Sequence, residues 1–146
     1  MNKLYMLGDS ITEWNILSHT EITNYGKAGW TTSDLLNNFP VLEDGNLTFL
    51  MIGVNDLNYG VNFDKIMENF REFKDRLKNV DLRVFSILPS RDKALNEKIK
   101  SHSFELQVLF GKNEKDIFKS IKKESLYFLM KFPNIEIRYK KFFIFL

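Results

Sequence analysis

The run Leu47-Thr48-Phe49-Leu50-Met51-Ile52 constrains the fold more than any other stretch, because a segment with a single polar member has no face to turn to water. A strand so uniformly apolar belongs in the middle of a sheet covered on both sides by helices, the setting of parallel α/β sheets. It stops at Gly53-Val54-Asn55-Asp56. The first apolar run, Lys3 to Leu7, stops in the same manner at Gly8-Asp9-Ser10. Glu21 to Tyr25 and Leu82 to Leu88 supply two further strands by their β-branched and apolar content, the latter closed by Pro89-Ser90-Arg91.

Helical signals fall between these strands. A first helix is expected from Ile11 to about Leu17. A second runs over Asp34 to Phe39, capped by Thr32 or Ser33 and ended by Pro40. Phe63, Ile66, Met67, Phe70, Phe73, Leu77 and Val80 recur at helical spacing, which places an amphipathic helix over Asp64 to about Lys78. Ala94 to about Phe110 repeats the pattern with Leu95, Ile99, His102, Leu106 and Leu109 on one face. Strands alternating with helices through short connections give a doubly wound, three-layer α/β domain with a parallel sheet. The loops after strands one, two and three then share one edge.

A length of 146 residues fits a single domain spanning 1–146, and 44% hydrophobic with 27% charged residues is ordinary globular composition. A formal charge of +2 is too small to imply a nucleic-acid or membrane partner by bulk electrostatics. With no cysteine, thiolate catalysis, disulfides and Cys-type metal sites are excluded, and no metal or organic cofactor is expected. No stretch reaches the ~20 apolar residues needed to span a bilayer, and Met1-Asn2-Lys3 leads directly into the first strand without a leader, so a cytoplasmic protein is expected.

Three sets of residues carry chemistry. Ser10 stands at a strand-to-helix turn, at the carboxyl edge of the sheet and beside backbone N–H groups without helical partners, a suitable place for a nucleophile. The same residues, Ser10-Ile11-Thr12-Glu13, also fit a capping box, in which the serine would only terminate a helix. Gly26 and Gly29, in the loop after strand two, are either turn glycines or points where a bare backbone N–H can approach a ligand. Asn55 and Asp56 are either a turn or an N-cap, or polar groups presented at the same edge.

Taken in order, Gly8-Asp9-Ser10-Ile11-Thr12, the Gly26/Gly29 loop and Gly53-Val54-Asn55-Asp56 resemble the SGNH (GDSL-type) hydrolases over about residues 3–100. The resemblance implies a flavodoxin-like SGNH hydrolase fold and a serine esterase that cleaves small acyl or acetyl esters of carbohydrate or lipid through an acyl-enzyme. It makes Ser10 the nucleophile and first N–H donor, the Gly29 N–H the second donor and the Asn55 amide the third. Gly29 is preferred to Gly26 because the segment looks like the family's N-x-G-x-x-G-x-T. An acyl transfer needs an attacking hydroxyl and donors aimed at the oxygen that becomes negative, which explains why three separate loops would contribute. Asp9, Trp14 and Trp30 flank these positions as candidate substrate-binding residues.

The family's closing Asp-x-x-His block, whose histidine takes the serine proton, has no counterpart: Asp116 is followed at the third position by Lys119. His102 lies on an apolar helix face, His19 lies in a polar loop, and no lysine is singled out as a substitute base. From about Ser101 the composition shifts, with 8 of the 14 Phe and an apolar end, Phe142-Phe143-Ile144-Phe145-Leu146. A truncated or frame-altered carboxyl-terminal part is expected, with Ile135 to Tyr139 or the final run as an edge strand. Two other functions fit some of the residues: an SGNH-like domain that binds without catalysis, and a flavodoxin-like nucleotide or phosphate binder with the anion at the first helix. A small-molecule ester remains the expected partner.

Overall fold

The computed structural model describes residues 3–14, 22–87 and 90–110, and the chain divides into two units, Met1–Ile87 and Leu88–Leu146. In the first unit the order is β1 (Leu4–Gly8), α1 (Ser10–Glu13), β2 (Ile22–Asn24), α2 (Thr32–Asn37), β3 (Leu47–Met51), α3 (Val54–Asn58), α4 (Phe63–Arg76) and β4 (Asp81–Val84). In the second, α5 (Lys93–Phe110) is the described element. His19, Pro89, the latter part of the expected first helix and the atypical carboxyl-terminal stretch lie outside the described residues.

The four strands form one sheet in the order β2-β1-β3-β4, every pairing parallel. It is the mixed α/β architecture expected, a parallel sheet flanked by helices. The order places the two long apolar runs side by side, paired from Leu4↔Leu47 to Gly8↔Met51. Leu7 and Leu50 are almost wholly buried, as an apolar run covered on both faces requires. The chain moves to one side of β1 to make β2 and to the other to make β3, so the direction reverses at the β1/β3 boundary, where open α/β sheets leave a crevice at the carboxyl edge.

α4 carries the heaviest part of the core. Ile66, Met67, Phe70 and Phe73 are buried at helical spacing, and the Phe70 and Phe73 rings meet edge-on with centroids 5.5 Å apart. Asn62 caps the helix through its side chain, which accepts from the Asp64 N–H at 2.8 Å, so that α4 starts at Phe63, one residue before the expected Asp64. In α5, Leu95, Ile99, His102 and Leu106 are all buried, the face anticipated from their spacing.

Several boundaries differ from expectation for local reasons. α1 is a single turn that starts at Ser10, one residue before the expected Ile11, with Trp14 as its C-cap. α2 is capped by Thr31 rather than Thr32 or Ser33: the Thr31 hydroxyl accepts from the Asp34 N–H and the Asp34 carboxylate accepts from the Thr31 N–H. It ends at Asn37, before Pro40 can act. Asn55 and Asp56, read as a turn or an N-cap or as polar groups at the sheet edge, lie inside a five-residue helix, α3, whose N-cap is Gly53. β4 is shorter than expected, although the Phe85 N–H still donates to the Leu50 carbonyl at 2.8 Å.

Candidate active site

The first strand delivers Ser10 through a crossing that only glycine permits. A Cβ on Gly8 would fall onto the Thr12 side chain and the Met51 carbonyl oxygen, so the missing side chain allows the start of α1 to lie directly against the end of β3. Asp9, not Ser10, is the N-cap: its Oδ1 accepts from the Ile11 N–H at 3.0 Å. Ser10 is thereby the first helical residue, and its hydroxyl is not committed to capping. Glu13, which the capping box would have turned back to the helix start, instead accepts from the Ala28 N–H at 2.7 Å.

That bond is one of several stitching the loop after β2 to β1 and α1. The Lys27 N–H donates to the Gly8 carbonyl at 3.1 Å and the Asn24 amide to the Thr12 carbonyl at 2.7 Å. Gly26 packs so closely that a Cβ there would strike the backbone of Thr12 and Glu13. Gly29 is the opposite case. Its φ of 78° favours glycine, it is exposed, and a Cβ would meet nothing within 4 Å. The two glycines thus divide the work, Gly26 allowing close packing and Gly29 forming an open turn.

The loop after β3 is tied to the same region. Gly53, with φ 125°, turns the chain sharply into α3, which has no side-chain cap of its own. The Asn55 amide Nδ2 donates to the Trp30 carbonyl at 2.9 Å, which leaves the second amide hydrogen uncommitted by that bond. Asp56, fully buried, accepts from the Thr32 N–H (2.9 Å) and the Thr32 hydroxyl (2.6 Å). Successive residues of α3 therefore grip the residues on either side of Thr31.

Electrostatics set the character of this edge. Burial pushes the Asp9 carboxyl up to about 6, partly opposed by the Ile11 N–H and reinforced by the charge of Asp56. Burial also raises Asp56, while the Thr32 hydroxyl and N–H pull the other way. Asp9, a candidate substrate-binding residue, is 1% exposed, and its Oδ1 accepts from the first turn of α1. Trp14 is 70% exposed, whereas Trp30 is half-buried and contributes its carbonyl to Asn55. Burial holds His102 in the second unit down to about 4, so the ring is neutral at pH 7. Among the described residues no cluster of side chains suits a metal ion, and no helix is long and apolar enough to cross a membrane.

The sequence did not single out Asn69, and it offered Thr32 only as a helix cap. Asn69, buried on α4, donates from Nδ2 to the Thr32 hydroxyl at 2.8 Å and to the Ser33 hydroxyl at 3.0 Å. Its signal was available as a polar residue three after Ile66 and four before Phe73, on the apolar face of that helix.

No protein-family model and no curated protein matches the sequence. Solved structures do. A protein from Streptococcus pneumonia, described as a candidate platelet activating factor, is 27% identical with a TM-score of 0.63, the match covering 74% of this chain and 60% of that one. A member of the lipolytic protein G-D-S-L family from Veillonella parvula is 18% identical, with a TM-score of 0.60 over 74% of this chain and 72% of that one. AlinE4, an SGNH-hydrolase family esterase, is 16% identical, with a TM-score of 0.53 over 83% and 79%. The present chain spans less than two thirds of the first of these proteins. The fold is that of the SGNH and GDSL-type hydrolases and esterases, as the three loops implied.

Proposed function

We propose that this chain, with the fold of an SGNH hydrolase, is a serine ester hydrolase acting on small acyl or acetyl esters of carbohydrate or lipid. One observation carries the proposal: the β1 and β3 ends are paired to the same level at Gly8↔Met51, with the Asn55 amide held against the Gly29-Trp30 turn. Loops that bear a hydroxyl, an open N–H and an oriented amide then leave the same edge of the sheet.

In the proposed reaction the Ser10 oxygen attacks the ester carbonyl carbon, and the carbonyl oxygen becomes negative. The N–H groups of Ser10 and Gly29 and the free amide hydrogen of Asn55 donate to that oxygen, each such donor typically contributing about 2.7–4 kcal/mol to the barrier reduction. Collapse expels the alcohol, whose oxygen takes up through solvent water the proton that Ser10 gives up, and the acyl group left on Ser10 is hydrolysed by water to the acid. Gly29 suits the donor role because its surroundings are open, whereas Gly26 is packed against α1. Trp14, largely exposed, is the aromatic placed to meet an acyl or sugar group.

The serine proton has no Asp-x-x-His to receive it, and loss of the triad histidine costs on the order of 10⁶-fold in kcat. Donors and binding alone give roughly 10³–10⁴-fold over water, enough to be read on an activated ester. The same absence favours a second function, an SGNH-like domain that binds esters without turning them over. A phosphate binder is disfavoured because the buried Asp9 carboxylate already occupies the start of α1.

The test is hydrolysis of p-nitrophenyl acetate by wild type, Ser10→Ala and His102→Ala. A rate lost in Ser10→Ala and kept in His102→Ala supports the nucleophile and excludes His102 as the base. Equal rates in all three leave only the binding function.

A further inference from the structure

The oxyanion donor proposed on α3 sits on an element with little reason to hold its own shape. α3 has five residues, starts at a glycine without a side-chain cap, and is far below the length at which a helix is stable alone. Its geometry has to be imposed by what grips it. Asp56 supplies the grip, since its carboxylate takes the first N–H of α2 and the Thr32 hydroxyl, and the next layer is Asn69.

The direction of these bonds is fixed from the outside inwards. The Asn69 Nδ2 can only donate, and its two hydrogens go to the hydroxyls of Thr32 and Ser33. A Thr32 oxygen that accepts from Asn69 has its own hydrogen free for Asp56 Oδ1, at 2.6 Å. Asn69, Thr32 and Asp56 are each at least 97% buried, so an unmade bond would not be replaced by bulk water. The neighbour of Asp56 is Asn55, whose amide is aimed by the carbonyl of Trp30, two residues before Thr32.

We propose that Asn69 is a positioning residue for the Asn55 amide, acting through Thr32 and Asp56 to hold α3 against the loop that bears Gly29. The relay joins α3 and α4 to the start of α2 through bonds that span 24 and 37 residues of sequence, and it rests on the hydrolase function proposed above only for its catalytic consequence. Displacing a donor by about 1 Å costs on the order of 10²-fold in rate. Asn69→Leu and Thr32→Val are therefore expected to lower kcat by about 10- to 100-fold with KM unmoved, and Thr32→Ser, which keeps the hydroxyl, to retain it.

The experiment measures kcat and KM on p-nitrophenyl acetate for wild type, Asn69→Leu, Thr32→Val, Thr32→Ser and Ser10→Ala, together with amide hydrogen exchange across Val54–Asn58. Loss of kcat in the first two variants with rescue by Thr32→Ser supports the relay. Activity kept in both, or lost equally in Thr32→Ser, overturns it. If Ser10→Ala matches wild type, it is the hydrolase function that fails, and exchange alone decides the relay. Faster exchange of Val54–Asn58 in Asn69→Leu and Thr32→Val but not in Thr32→Ser upholds it, and unchanged exchange overturns it.

Discussion

Asp9 shows how one side chain can serve the fold at a cost in charge. Its carboxylate caps α1, yet burial raises it from 3.8 to about 6, so between those values the folded state holds a proton that the unfolded chain releases. A raised carboxyl contributes stability that is complete below the unfolded value and is lost as pH climbs through the folded one. Asp9→Asn keeps a capping oxygen and carries no charge. It is expected to match wild type below pH 4 and to exceed it above pH 6 by up to roughly 3 kcal/mol, the size of a shift of about two pH units. Thermal melts of both proteins across pH 4 to 8 check this, and parallel curves would contradict it. The sequence could not separate Asp9 from Ser10 as the cap, because both types cap helices well and they are adjacent. Only the depth of Asp9 at the end of a buried strand distinguishes them.

At the scale of elements, the neighbouring threonines of α2 have different tasks. Thr31 closes a capping box with Asp34, while Thr32 hands its N–H and hydroxyl to Asp56. Thr31→Ala is expected to cost about 1 kcal/mol of stability, the usual size of a lost cap, and to leave kcat unchanged. Chemical denaturation and the ester assay together check it, and a kcat loss like that of Thr32→Val would mean that the cap itself shapes the site. Elements with many apolar residues were legible before any coordinates. The unbroken run of Leu47 to Ile52 required a covered strand, and Phe63, Ile66, Phe70 and Phe73 required a helix with one buried face. α3 was not legible, because five residues show no helical period and Gly53 offers no capping side chain. It is tied to the start of α2 by Asp56, which bonds Thr32 24 residues away in sequence.

For the whole molecule, parallel pairing in the order β2-β1-β3-β4 turns three short motifs scattered along the chain into neighbours. The order of the motifs was readable, since each follows an expected strand that ends in a glycine or a glycine-rich loop. Their stitching was not, because it runs through Glu13 to Ala28, Asn55 to Trp30 and Asn69 to Thr32, bonds without local periodicity. The central claim is that Ser10 is an attacking oxygen backed by donors from Gly29 and Asn55. A fluorophosphonate tests it most directly, since the serine oxygen displaces fluoride at phosphorus and the polarised P=O oxygen of the adduct is the group for the donors to hold. Intact-mass and peptide mass spectrometry are expected to place one adduct on Ser10, absent in Ser10→Ala and formed at least about 10²-fold more slowly in Asn55→Ala, the usual loss for one such donor. An adduct spread over other serines, or one forming on Ser10 at the same rate without Asn55, would contradict it.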